Sequence, residues 1–428
     1  MSIRRALSST FYRYTAALEF RDYRRMWLAN LSAQSAAWAL IVARGWFVYE
    51  EHHMSSEVAL VTFAATAPAF IIPPIAGVLA DRIDRRKLLA ASYLVNLAVN
   101  LVMATLALMG ILEVWEVFVL SLVNGAARYT QLPVAQALAA NLVPRERLLN
   151  ALSLTAATNN FSRLAGAALV TPLLGLTGVH VAFFLCTALY GVGFLQVMQI
   201  TSLSRIAAPV RESFFRNFVN GLRYVKSQPL IAMVIILVCF HCGLTMAFES
   251  TLPAFSRQTL DAGTGGFGVL MTAVGIGALV GSLGVGGIQT ALGRGRMFLI
   301  TGIFSGLGIV MLAYSPTMPI AYVAAMIMGC TQAAFMTMGQ AVTQALAADE
   351  YRGRVASINT LSLQGLMSLM NLGNGMLTDI YSPSAVLATT GGAFVVVMFL
   401  SFFIATPREV YLRGMPEHAM LRSATQPA

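Results

Sequence analysis

Long apolar stretches separated by short polar connectors run along the chain from residue 26 to residue 406. A helix needs about 20 mostly apolar residues to cross the hydrocarbon of a bilayer. Twelve stretches meet that length: 26–49, 57–79, 88–110, 114–139, 149–173, 179–201, 229–254, 266–290, 297–315, 319–345, 355–378 and 384–406. They are too long for barrel strands, and backbone polar groups in lipid must be paired within the segment, so each is expected to be a helix. Within several of them the polar residues recur at helical spacing. At 100° per residue, Asn30, Gln34 and Arg44 share one face of the first span, and Asn124, Arg128 and Gln131 share one of the fourth. The same holds for Thr155, Asn159, Ser162 and Arg163 in the fifth, for His241, Thr245 and Glu249 in the seventh, and for Gln332, Met336, Gln340 and Thr343 in the tenth. Gln364, Ser368 and Asn371 form a further stripe on the eleventh.

Composition sharpens this picture. Of 428 residues, 57% are hydrophobic and only 11% are charged, where a soluble domain carries about 25% charged. The mean hydropathy is +0.72. These values exclude a soluble enzyme and a disordered chain. Placement of charge then sets the topology. Counting tails and alternate connections, 24 of the 28 basic residues fall on one side of the twelve-span scheme. The opposite side holds Glu50, Glu51, Glu57, Glu113, Glu116 and Asp261, with Arg257 its one base. By the positive-inside rule both termini are cytoplasmic. The net charge of +10 is therefore a topology signal, with no nucleic-acid partner implied. The first 25 residues are broken by charges and fit no cleavable signal peptide. All four cysteines lie in apolar runs, so no disulfide framework is expected.

The chain also repeats. Gln136-Ala-Leu-Ala-Ala140 closes the fourth span and recurs as Gln344-Ala-Leu-Ala-Ala348 at the close of the tenth, each running into a short basic loop. The second span ends in Gly77-Val-Leu-Ala-Asp81-Arg-Ile-Asp-Arg-Arg86-Lys87, and the eighth ends in a weaker version, Gly286 to Arg296. A duplication predicts a cytoplasmic segment 1–25, a six-helix bundle over 26–201, a cytoplasmic connection 202–228, a second bundle over 229–406 and a tail 407–428. Paired six-helix repeats are a transporter design.

Gly77 to Lys87 resembles the loop signature of the major facilitator superfamily. Phe20-Arg-Asp-Tyr-Arg-Arg-Met-Trp27, Pro144 to Asn150, Gly221-Leu-Arg-Tyr224 and Arg352-Gly-Arg-Val355 resemble its enterobactin-exporter and macrolide-efflux branch. The chain departs from the family pattern at Asp84, where the signature has Gly. In the fifth span, Arg163-Leu-Ala-Gly166 is followed by Ala167, and proline is delayed to Pro172. The resemblance implies an all-α membrane protein of twelve transmembrane helices in two pseudo-symmetric six-helix bundles. It also implies that spans one, four, seven and ten line the pathway. Gly77, Asp81, Arg82, Arg85 and Arg86 would then form a cytoplasmic gate loop that stabilises one access state.

Three arginines lie inside spans: Arg44, Arg128 and Arg163. Each costs about 2.5–3.5 kcal/mol at a helix centre, so they must face water or pair with a carboxylate. Asn30, Gln34, Arg44, Asn124, Arg128, Asn159, Arg163, His241, Gln332 and Gln340 are accordingly the candidates for a substrate cavity. Glu249, the one plainly intramembrane acid, is the candidate for proton coupling. Cys239-Phe-His-Cys242 lies in one apolar helix without a second pair, so it reads as packing and no metal site is expected. The Gly263 to Gly287 run has no Walker-type lysine and reads as close helix packing. No catalytic constellation and no cofactor are expected. The expectation is a monomeric, multi-pass protein of the bacterial inner membrane that exports a small amphipathic, anionic molecule (a siderophore or drug) in exchange for protons. Rival readings are a proton-coupled importer of an organic acid, and a non-transporting sensor with the same fold.

Overall fold

The structure is a computed structural model that describes residues 16–201, 214–285, 290–348 and 350–414. All regular structure among them is helical. The N-terminal portion runs α1 (Arg21–His52), α2 (Ser55–Thr66), α3 (Ile72–Arg82), α4 (Arg85–Met109), α5 (Val114–Leu142), α6 (Arg145–Leu176) and α7 (Val179–Met198). A surface helix follows, α8 (Phe214–Ser227), and then α9 (Pro229–His241), α10 (Thr264–Val285), α11 (Ala291–Ala313) and α12 (Met318–Leu346). The chain closes with α13 (Arg352–Ile380), α14 (Pro383–Ser401) and α15 (Ala405–Arg413). Eight of the described helical segments are long and apolar enough to cross a membrane.

Local chemistry sets the helix limits. Asp84 accepts a hydrogen bond from the Arg86 N–H at 2.8 Å and starts α4 as its N-cap. Its φ of −53° needs no glycine. Gly110, at φ 68°, ends the same helix in the left-handed conformation that side chains disfavour. The Glu116 carboxylate accepts from the Glu113 N–H at 3.0 Å at the head of α5.

Two of the expected spans are interrupted. Between α2 and α3 the chain tightens into a 3-10 turn, Ala67–Phe70, where Pro68, Pro73 and Pro74 supply no N–H to a continuous helix. The seventh span is broken more deeply. After His241 it passes through a π turn, Cys242–Met246, then a non-helical stretch 247–251, one α turn Leu252–Ala254 and a second π turn Phe255–Thr259. Pro253 cannot donate to the carbonyl of Glu249, so the 247–251 stretch cannot close into an ordinary helix.

The chain divides into two compact units. One comprises residues 1–47 and 64–210, the other 48–63 and 211–428. The C-terminal end of α1 and most of α2 therefore group with the C-terminal residues. In that second unit Phe298, Phe335 and Phe394 form an aromatic core with Val238, Met398 and Tyr411, and the Phe298 and Phe335 rings stack at 4.3 Å. Tyr411 on α15 shares a 2.9 Å hydrogen bond with Ser401, and burial pushes its hydroxyl pKa up. Backbones approach closely where glycine allows it. A Cβ on Gly281 of α10 would lie 1.9 Å from the Cys330 carbonyl oxygen, and one on Gly329 of α12 would lie 2.1 Å from that of Val274. Large apolar side chains such as Leu195, Phe304, Val323 and Phe399 are exposed on the helices, as lipid-facing positions are.

Candidate functional site

In the first unit, polar residues zip α1 to α6. The Tyr23 hydroxyl donates to the Ala151 carbonyl at 2.8 Å, the Trp27 indole N–H to Thr158 Oγ1 at 2.7 Å, and Ser162 Oγ to the Leu31 carbonyl at 3.4 Å. One turn further, the Arg163 guanidinium sits 4.9 Å from the centre of the Trp38 ring, a cation–π contact. Gly166 closes the row, since a Cβ there would stand 2.4 Å from the Ser35 carbonyl oxygen. The Arg163-Leu-Ala-Gly166 pattern thus fastens the fifth span against the first.

A second polar layer joins α1, α4, α5 and α7. Arg44 is buried and donates to Ser121 Oγ at 2.9 Å. Asn124 donates to Asn96 Oδ1 at 3.0 Å, and Asn100 donates to the Asn96 carbonyl. Tyr93 and Tyr190 pack beside them, both fully buried. Arg128 is half-buried on α5, and among the described residues no hydrogen bond or ion pair holds its guanidinium. Gln131 Nε2, Asn96 Nδ2 and Asn159 Oδ1 are buried polar atoms of this unit with no hydrogen-bond partner among the described residues. Asn30 is buried and Gln34 half-buried on α1.

In the second unit the polar residues gather around the broken seventh span. His241 is fully buried, stacked on Phe335 at 4.5 Å and edge-on to Phe394 at 5.2 Å. Its Nε2 meets Ser305 Oγ at 2.8 Å, and the Ser305 hydroxyl reaches Thr245 Oγ1 at 3.4 Å. Gln332 donates to the Thr245 carbonyl at 2.6 Å, and Asn374 donates to the Ala247 carbonyl at 2.6 Å. Asn371 Oδ1 accepts from the Ser250 N–H at 3.0 Å, and Thr251 pairs with Thr378. These side chains satisfy the backbone groups that the break frees. Glu249 is buried within the unwound stretch. Gln340 is exposed near the end of α12. Cys242 Sγ lies among the sulfurs of Met246 and Met336, inside the apolar core. Among the described residues no group of three His, Cys, Asp or Glu could hold a metal.

The basic loop after α3 is tied down within its own unit. Arg85 is buried and donates through Nε to the Ala80 carbonyl at 3.1 Å and through Nη1 to that of Ala137 at 3.0 Å. Arg86 donates to the Ile200 carbonyl. Arg82 is exposed, Gly77 has open space around its Cβ position, and the Asp81 side chain lies outside the described residues.

Two segments that the sequence reading treated separately also meet. Tyr224 of α8 stacks on Tyr351 at 4.2 Å with a 7° tilt, and its hydroxyl accepts from the Ala348 N–H at 3.1 Å. A Cβ on Gly221 would stand 3.0 Å from the Arg354 Cβ. Partners such as Ser121, Trp38, Asn96 and Ser305 were not foreseen, because they lie 60 or more residues from the groups they touch or, like Asn96, in the third span, which is not among those the resemblance assigns to the pathway.

The sequence profile of transmembrane secretion effectors, a family of major facilitator transporters, matches residues 14–420. The chain belongs to that family. It is a multi-pass membrane transporter of the major facilitator type. The multidrug efflux pump Tap of Mycolicibacterium fortuitum is 24% identical over 77% of this chain and 82% of its own length. The uncharacterised MFS-type transporter YfiS of Bacillus subtilis (strain 168) is 22% identical over 45% of this chain, and the match spans 46% of that protein. Among solved structures, the nucleoside transporter NupG superposes with a TM-score of 0.72 at 12% identity, covering 90% of this chain and 99% of that one. A POT family transporter in complex with 5-aminolevulinic acid gives 0.71 at 11% identity, covering 91% and 96%. Both likenesses concern the fold.

Proposed function

We propose that this family member is a proton-coupled exporter of a small amphipathic anion, working by alternating access in the bacterial inner membrane with both termini in the cytoplasm. Twelve spans, in bundles over 26–201 and 229–406, form the moving parts, and the protein acts as a monomer. Arg128 carries the reading. It is a mid-span guanidinium without a hydrogen-bonded or ion-paired partner among the described residues. A charge at that depth is retained where it serves a pathway. Arg44 and Arg163, by contrast, are held by Ser121 and Trp38 and preorganise the surroundings. The export direction is supported by Tap, an efflux pump. Glu249, buried in an irregular stretch of the seventh span, is the proton carrier in this proposal.

Efflux of carboxyfluorescein, an anionic dye, and of ethidium, a cationic one, from loaded cells tests this. Arg128→Ala is expected to cut carboxyfluorescein efflux at least tenfold and leave ethidium efflux, where present, unchanged. Equal carboxyfluorescein rates in wild type and variant would remove the anion site. Glu249→Gln is expected to abolish flux driven by a proton gradient while sparing dye–dye exchange; loss of both would place Glu249 in the scaffold.

A further inference from the structure

The turn between α1 and α2 is bound to the end of α13. Asp379, in the last turn of α13, accepts from the Ser55 N–H at 2.7 Å and from the Ser56 N–H at 3.0 Å. Those are the first two N–H groups of α2, donors that a helix leaves without an internal partner. A carboxylate in the last turn of its own helix sits against the negative end of that helix dipole. Here its charge is offset by the positive end of another helix. The closeness extends along the contact: a Cβ on Gly375 would stand 2.6 Å from the Ser55 carbonyl oxygen and 2.4 Å from the Ala59 Cβ. On the α1 side, Gln258 donates to the Tyr49 hydroxyl at 3.1 Å. The corner itself is stiffened by a 2.7 Å contact between His52 Nδ1 and Glu57 Oε2, and by His53 in the left-handed region at φ 56°. Residues 48–63 group with the C-terminal unit although the sequence on both sides of them, 1–47 and 64–210, groups with the other.

We propose that Asp379 is a releasable clasp holding residues 48–63 to the C-terminal unit, and that its opening is an obligatory step of the transport cycle. The clasp joins two neutral N–H groups to one exposed carboxylate, with no buried ion pair to break. It therefore opens at a cost that a cycling protein can meet. Its functional consequence rests on the transporter reading above, whereas its existence does not.

The experiment uses full-length protein with Cys186, Cys239, Cys242 and Cys330 replaced by serine or alanine and a single Ser55→Cys. Ser55 is 1% exposed, so an impermeant maleimide reaches that thiol only when the segment leaves its seat. Asp379→Ala is expected to raise the labelling rate at least tenfold, with Asp379→Asn in between because one neutral acceptor oxygen remains. Equal rates in all three would overturn the clasp. In a second arm, Ser56→Cys and Asp379→Cys are joined by a short bifunctional methanethiosulfonate. Carboxyfluorescein efflux is expected to stop and to return with dithiothreitol, and undiminished efflux after cross-linking would overturn the obligatory opening. No efflux from the protein that keeps Asp379 would count against the transporter reading alone, since the labelling arm needs no substrate.

Discussion

Polar side chains inside a membrane protein can face water, a solute or another backbone, and the residue scale is where these roles separate. Asn374 shows the last of them. Its amide donates at 2.6 Å to the Ala247 carbonyl, a group freed by the break after His241. Removing a buried donor leaves that carbonyl unpaired, at about 1–3 kcal/mol. Asn374→Ala is therefore expected to lower the thermal midpoint in detergent, and Asn374→Asp to do no better, because a carboxylate cannot donate. A midpoint unchanged in both would show that the break needs no such support. The stripe of Gln364, Ser368 and Asn371 was legible as polar from its helical spacing alone. What spacing cannot say is which surface a stripe meets. Asn371 meets the Ser250 backbone, and Arg163 meets Trp38. Arg44 is likewise engaged with Ser121, 77 residues away, and nothing local in the sequence announces such a partner.

At the scale of elements, hydropathy located the helices well and their interiors less well. Every expected apolar stretch carries helix, because burying backbone polar groups in lipid leaves no alternative. Breaks depend on single residues that barely change the mean hydropathy of a span. Pro68 and Pro253 were visible in the sequence, yet their consequences follow from the missing N–H and not from any loss of apolarity. The glycine run of the eighth span was legible as close packing, and the contacts agree. Gly277 and Gly281 face the backbone of α12 at Met326 and Cys330. Gly281→Val would drive a side chain into the Cys330 carbonyl, and backbone cannot yield as a flexible side chain does. Loss of monodisperse protein on size-exclusion chromatography is the expected result. Gly284→Ala, three residues along and with nothing within 4 Å of its Cβ, is expected to be tolerated or stabilising by about 0.5–1 kcal/mol. Similar behaviour of the two variants would argue that α10 and α12 are not packed as described.

For the whole molecule, the repeat at Gln136 and Gln344 identifies matching helix ends, and in both places an arginine donates to a carbonyl of the repeated segment. Arg85 reaches Ala137, and Arg352 reaches Gln344. The two arginines stand at different places in the chain, Arg85 at the start of α4 and Arg352 at the start of α13, so similar contacts are made by non-equivalent residues. The helix of the connection after the first half is fastened within the second unit. This helix, α8, is held there through the Tyr224–Tyr351 stack and the Gly221 contact, while Arg223 and Lys226 stay exposed. Trypsin needs an unfolded stretch around its cleavage point, so a fastened helix resists it and a released one does not. In inside-out vesicles, where the cytoplasmic face meets the protease, Tyr224→Ala is expected to speed cleavage after Arg223 and Lys226 at least fivefold over wild type. Right-side-out vesicles should protect both proteins. Cleavage confined to right-side-out vesicles would invert the topology derived from the arginine distribution. Equal rates in wild type and variant would mean that the stacked tyrosines do not hold the connection, leaving the glycine contact as the fastening.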